Sequence, residues 1–139
     1  MAYASSKNAK IWFTNHLERL YASQGVHVIS LHPGAVETGL QRFHSPESLE
    51  VMKAAIPESE LPGLKNTYKS IEQGAATTVL AAISKAFEGK GGIYLDECQV
   101  ARLHDLRKTA AGYAAHAFDE DNERKLWEMS LLMTAPRED

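Results

Sequence analysis

The chain has 139 residues, of which 44% are hydrophobic and 24% charged, with a formal net charge of -3 and one cysteine. That is enough chain for a single domain with a real core. The balance of charge gives no electrostatic footprint for nucleic acid. No apolar run approaches the ~18 residues of a membrane-spanning helix. Cys98 has no partner for an internal disulfide, so a reducing compartment, the cytoplasm, is expected. The six histidines show no metal-ligand spacing, so no metal is expected. No basic stretch precedes an apolar one at the start, so no leader is expected.

Residues 3–22 are predicted to form an amphipathic helix. Ala9, Phe13, Leu17 and Leu20 make its apolar stripe, with Trp12 beside it; Lys10, Glu18 and Arg19 lie off the stripe. Gly25 is the expected left-handed cap. Tyr3 and Lys7 stand four apart in the first turns and so share a face. An ammonium beside a phenol favours phenolate, which makes the pair a candidate for proton transfer. Standing alone, the same spacing also describes an ordinary surface pair.

Residues 26–31 are short, β-branched and nearly continuously apolar, as in a strand covered on both faces. Pro33 cannot continue the ladder, so the strand should end at His32-Pro-Gly34. In open α/β sheets the loop after a strand's carboxyl end is where ligands bind; here that loop is residues 32–40. Residues 41–67, broken by Pro46, Pro57 and Pro62, are expected to be a substrate-side lid, with a helix start at Ser45-Pro46-Glu47. A disordered insertion is the competing reading.

A second helix is predicted over residues 70–87, with Ala76, Val79, Leu80, Ile83 and Phe87 as its buried stripe. Gly89-Lys-Gly-Gly92 precedes a strand rather than a helix, so it is expected to be a turn into a strand over 92–95 and not a phosphate loop. Residues 96–118 are expected to be loop. Acids from Asp119 to Glu123 should open a final helix, where the macrodipole favours them. Leu126, Trp127, Leu131 and Leu132 are expected to pack it down.

Taken together, Tyr3-Ala-Ser-Ser-Lys7, Val28-Ile-Ser-Leu-His-Pro-Gly34, Thr38-Gly-Leu40 and Glu72-Gln-Gly-Ala-Ala76 resemble the short-chain dehydrogenase/reductase family. Tyr94-Leu-Asp-Glu-Cys98, Gly112-Tyr-Ala-Ala-His116 and Leu126-Trp-Glu128 look like its retinol-dehydrogenase-like branch. The pieces run in order over nearly the whole chain. The resemblance implies an NAD- or NADP-dependent oxidoreductase that interconverts alcohols and carbonyls on a small-molecule substrate. It implies that Tyr3 is the general acid or base. Lys7 would then lower the Tyr3 pKa and hold the nicotinamide ribose. The backbone of Pro33, Gly34 and Val36 would approach the carboxamide, and Thr38 would bond to the carboxamide or pyrophosphate.

The resemblance also implies what the sequence lacks. The family's glycine-rich dinucleotide turn, its selector for NAD or NADP, its substrate-orienting serine and its relay asparagine have no counterpart in these residues. The expectation is therefore the C-terminal half of such a domain: α/β, an incomplete part of a doubly wound Rossmann-like parallel sheet with two strands, three main helices and the lid. The isolated chain is expected to lack activity. The alternative is a non-enzymatic fragment or interaction partner that completes a fold with another chain. A homodimer through the helix of residues 3–21 is compatible with either.

Overall fold

The structure is a computed structural model. It describes residues 2–36, 68–103 and 112–136, with single positions 38, 39, 42, 45, 47 and 51. Most of the expected lid, and Pro46 of the helix start at Ser45-Pro46-Glu47, lie outside the described residues.

Helix α1 runs Ala2–Tyr21 and tightens into a 3-10 turn, Ala22–Gln24. Gly25 closes it at φ 78, its N–H donating to the Ala22 carbonyl. Only a residue without Cβ enters this left-handed region cheaply, so the expected glycine cap holds. Strand β1 follows at Ile29–His32. Helix α2 spans Ile71–Ile83 and opens on a capping box: the Ser70 hydroxyl accepts from the Gln73 N–H, and the Gln73 side chain accepts from the Ser70 N–H. Strand β2 is Ile93–Asp96, and β3 is Gln99–Val100. Helix α3, Glu120–Thr134, is capped by Asp119, which accepts from the Asn122 N–H.

The sheet order is β1-β2-β3. β1 and β2 are parallel, in a register that runs from Ile29 opposite Ile93 to His32 opposite Asp96. α2 lies between them in sequence and packs on both, as a crossover helix does. On the other side α1 packs on β1 and on α3. This is an incomplete α/β, Rossmann-like arrangement.

The strands differ from expectation in detail. β1 covers 29–32 rather than 26–31, and Val26 is half-exposed ahead of it. The ladder extends to His32 because the first residue without an N–H is Pro33. β2 covers 93–96 rather than 92–95. The sheet has a third strand where loop was expected: Glu97 and Cys98 take positive φ (53 and 61), reversing the chain so that β3 pairs antiparallel with β2. The α-helical part of the second helix ends at Ile83, with a 3-10 turn at Lys85–Phe87.

The expected buried stripes need the larger correction. On α2 the buried residues are Gly74 and Thr77, while Val79 and Ile83 are 51% and 75% exposed. On α3, Leu126 and Trp127 are half-buried but Leu131 and Leu132 lie in solvent. Hydrophobic periodicity marks a face that can be buried, and none of the described residues covers these two. Thr77 is buried for a polar reason: its Oγ1 accepts from the Cys98 N–H, which pins the helix to the β2–β3 turn.

Gly74 lets α2 approach the loop after β1. A Cβ at this position would overlap the Val36 side chain. Gly74→Ala is expected to gain up to about 1 kcal/mol of helix propensity. Overpacking against Val36 should cost about 1–3 kcal/mol, for a net loss of stability. Urea denaturation of the variant checks this; a higher midpoint would mean that Val36 gives way freely.

Candidate functional site

Pro33 and Gly34 follow β1 directly, so the chain leaves the sheet at the carboxyl ends of the two parallel strands. A cavity of about 710 Å³ opens there, against the N-terminal part of α1. Tyr3, Lys7, Pro33, Gly34, Val36 and Thr38, the six residues singled out from the sequence, all line it.

Helical spacing puts Tyr3 and Lys7 on one face. The Lys7 ammonium lies 5.0 Å from the centroid of the Tyr3 ring. It is thus over the ring face, attracted by the aromatic quadrupole, rather than beside the hydroxyl. Tyr3 is 71% exposed. The Ser6 hydroxyl donates to the Tyr3 carbonyl at 2.7 Å, bonding back into the first turn of α1.

The loop after β1 is tied down from above. Gly34 sits at φ 87, and the Lys69 side chain occupies the space a Cβ would need, with Nζ 2.6 Å from that position. The Lys69 N–H donates to the Ala35 carbonyl at 2.7 Å, and Val36 forms a parallel bridge with Lys69. The Lys69 ammonium pairs with Glu97 at 2.9 Å. The segment between residues 36 and 69 therefore leaves and rejoins the fold at one closed root.

Beneath the loop is a residue that sequence reasoning did not select. Asp96, 7% exposed, accepts from the Gly112 N–H at 3.0 Å and lies 3.5 Å from His32 Nδ1. The His32 contact holds its carboxyl below the usual carboxylate range, with help from the Gly112 N–H and the Lys69 charge and against its burial. Neighbouring Tyr94 is pushed up by burial and by the Asp96 charge, so its phenol stays protonated.

The remaining wall comes from the segment after Gly112. The Tyr113 N–H donates to the Arg102 carbonyl, and Trp12 Nε1 on α1 donates to the His116 carbonyl at 2.9 Å. Tyr113 packs against Phe118 in a tilted arrangement, with ring centroids 4.6 Å apart. Tyr94, Tyr113 and His116 all line the cavity. The signal for Tyr94 and Asp96 was the period of two in the strand: in this register they share a sheet face with Ser30 and His32. For Tyr113 and His116 the run Gly112-Tyr-Ala-Ala-His116 carried a family likeness but no site role; contacts with α1 and with Arg102 bring them in.

A carboxylate with a lowered pKa stabilises the fold fully above its unfolded value near ~3.9. That contribution is lost as pH falls through the lower folded value. Asp96→Asn should therefore flatten the acid limb of stability below about pH 4, measured as urea midpoints between neutral pH and pH 2.5. Asp96→Ala should cost about 1–3 kcal/mol at pH 7, because the Gly112 N–H loses its acceptor.

A family model described as short chain dehydrogenase matches residues 1–48. The short-chain dehydrogenase/reductase prx1 of Penicillium rubens is 46% identical over 133 residues, which is 95% of this chain and 37% of that protein. The oxidoreductase calI of Penicillium decumbens is 41% identical over 135 residues, 95% of this chain and 38% of its own. The polyprenol dehydrogenase of Homo sapiens is 32% identical over 136 residues, 96% of this chain and 36% of its own. The chain thus spans little more than a third of the length of these relatives.

Proposed function

We propose, from the premise that the chain belongs to the short-chain dehydrogenase/reductase family, that its cavity is the proton-transfer and nicotinamide side of an NAD- or NADP-dependent oxidoreductase site. The substrate class is a small alcohol or carbonyl compound. The observation that carries this reading is the convergence of Tyr3, Lys7, Pro33, Gly34, Val36 and Thr38 on one cavity.

The donor set fits the nicotinamide–ribose end of such a cofactor: a cation, a phenol and a glycine turn that brings backbone close. The bound cofactor supplies the hydride acceptor or donor. In the reducing direction Tyr3 gives its hydroxyl proton to the substrate oxygen as that oxygen gains charge; in the oxidising direction it takes the proton back. Lys7 would hold the ribose hydroxyls, the backbone of Pro33, Gly34 and Val36 would face the carboxamide, and Thr38 would bond to the carboxamide or pyrophosphate.

The phosphates are a different matter. A dinucleotide needs a helix N-terminus opened by a glycine turn after a strand. Gly89-Lys-Gly-Gly92 leads into β2 instead, and no other stretch of the 139 residues has that form. Ribose and carboxamide contacts alone do not offset the entropy of fixing so large a ligand. The isolated 139-residue chain is accordingly proposed to bind cofactor weakly and to be inactive. Its setting is a reducing compartment such as the cytoplasm, and a homodimer would use the exposed part of α1. A second reading, that the chain completes its fold with another chain, is favoured by the exposed Val79 and Ile83 on α2.

Calorimetric titration with NADH and NADPH is expected to show no micromolar binding, and assays over alcohols and retinoids no turnover. Micromolar binding, or turnover lost in Tyr3→Phe, would overturn the inactivity of the isolated chain. The assigned roles are tested separately with millimolar nicotinamide mononucleotide, followed by amide NMR. Shifts should concentrate at Lys7, Gly34, Val36 and Thr38; a cluster of shifts elsewhere would sink the assignment.

A further inference from the structure

One nitrogen in the cavity faces two incompatible partners. His32 Nδ1 accepts from the Gly34 N–H at 3.1 Å, and the Asp96 carboxylate lies 3.5 Å from the same atom. To accept from an N–H, Nδ1 must carry a lone pair; to donate to a carboxylate, it must carry a proton. It cannot do both. The ring is 56% exposed at its side chain, so water reaches it and it can exchange protons.

We propose that His32 is a protonation-dependent latch on the Gly34 amide. Neutral, it holds that amide through Nδ1. Protonated, Nδ1 turns to Asp96, and the Gly34 N–H is released toward the cavity. His32 is thus a positioning residue that acts through Gly34.

The surroundings support a two-state device. Imidazole is the side chain whose charge ordinarily changes between pH 5 and 8. Asp96 is the anion that faces it from β2, and its second oxygen is fixed by the Gly112 N–H, so the carboxylate stays in place in both states. Lys69 lies over Gly34, but its charge is paired with Glu97. Lys7 and Tyr3 from α1, Tyr94 from β2, and Tyr113 and His116 from the following segment share the same cavity wall. Of these groups, only Asp96 is an ion-pair partner of His32 among the described residues. The Gly34 N–H reaches back to the ring two residues before it, a short local bond that one side-chain rotation of His32 makes or breaks.

The functional consequence rests on the reading that Gly34 faces a cofactor carboxamide. An amide held by His32 is unavailable to a carbonyl acceptor, so cofactor contact at Gly34 would strengthen as pH falls through the His32 transition. The latch itself needs no cofactor, and its test uses none.

The test is ¹⁵N NMR of the 139-residue chain across pH 5 to 8. At pH 8 the His32 ring nitrogens are expected to show a bare Nδ1 and a protonated Nε2. On acidification Nδ1 should become protonated, and the Gly34 amide proton should move upfield along the same curve as its hydrogen bond is lost. Asp96→Asn should move this shared curve to lower pH, because the protonated ring then lacks its anion. In His32→Phe the Gly34 amide should no longer respond. A protonated Nδ1 at pH 8, or a Gly34 amide that ignores the ring's titration, would overturn the latch. Should the phenylalanine variant fail to fold, the ring-nitrogen pattern of the unaltered chain decides alone. Loss of nicotinamide mononucleotide binding at Gly34 with the latch intact would instead count against the proposed function.

Discussion

The parallel register that sets His32 opposite Asp96 is the constraint on which the site depends. It stops there because Pro33 has no N–H to offer the next rung. Both strands therefore finish at one level, and each strand end becomes an anchor. β1 releases the Pro33-Gly34 turn; β2 leaves Asp96 almost buried beneath it, with one oxygen near His32 and the other on the Gly112 N–H. One residue further, Glu97 holds Lys69 over Gly34, and Cys98 is held by Thr77 of α2. Slipping β1 by one residue against β2 would turn Ser30 and His32 to the other face of the sheet and break the pairing of His32 with Asp96.

Placing Tyr3 and Lys7 is a separate problem, solved at the far end of the chain. Glu123 of α3 is fully buried and accepts from Asn15 Nδ2 at 3.1 Å and Arg19 Nε at 3.0 Å on α1. Phe13 packs against Trp127 with ring centroids 5.4 Å apart. A buried ion pair of this kind contributes little net stability, since desolvation offsets much of the attraction. It does fix which faces of two helices meet, because any other pairing leaves the carboxylate alone. On the opposite side Glu18 accepts from the Val28 N–H at 2.8 Å and pairs with His27 at 2.9 Å, locking α1 to the entry of β1. The orientation of the helix bearing Tyr3 thus follows from polar contacts more than one hundred residues apart in one direction and ten in the other.

Those long-range contacts explain what could be read from the sequence. Local signals were sufficient for every helix and both parallel strands, though not for β3: the Gly25 cap, the Pro33 stop, the glycine turn into β2 and the acidic start of α3 each act within a few residues. The two parallel strands and their intervening helix followed from these signals. The exposed faces of α2 and α3 did not, because periodicity identifies an apolar stripe without identifying its cover, and Val79, Ile83, Leu131 and Leu132 have none among the described residues. Asp96 was hidden for the opposite reason. It is a charged residue at a strand end, an ordinary place for a solvated carboxylate, and only the pairing with His32 and Gly112 buries it. Tyr113 and His116 belong to a run with a family likeness, but no periodicity or spacing places them at the cavity; long-range contacts do.

The exposure of Tyr3 bears on all of these points. The strand side of the cavity is fixed: Tyr94 is half-buried in its wall, and Asp96, on the same sheet face, is nearly buried. The phenol that would move the proton is instead mostly in water, with an ammonium over its ring rather than at its oxygen. Water around such a pair screens the attraction between them, and a side chain on the first turn of a helix has few neighbours to hold it in one rotamer. Proton transfer coupled to hydride transfer needs the reacting atoms within about 3–3.5 Å and aligned, which an unwalled side chain does not maintain. On the proposed reading, the residue identities at positions 3 and 7 would be required for the chemistry without being sufficient for it. To act in that way the pair would need apolar and peptide walls closed around Tyr3, the same kind of cover that Val79 and Ile83 lack on α2.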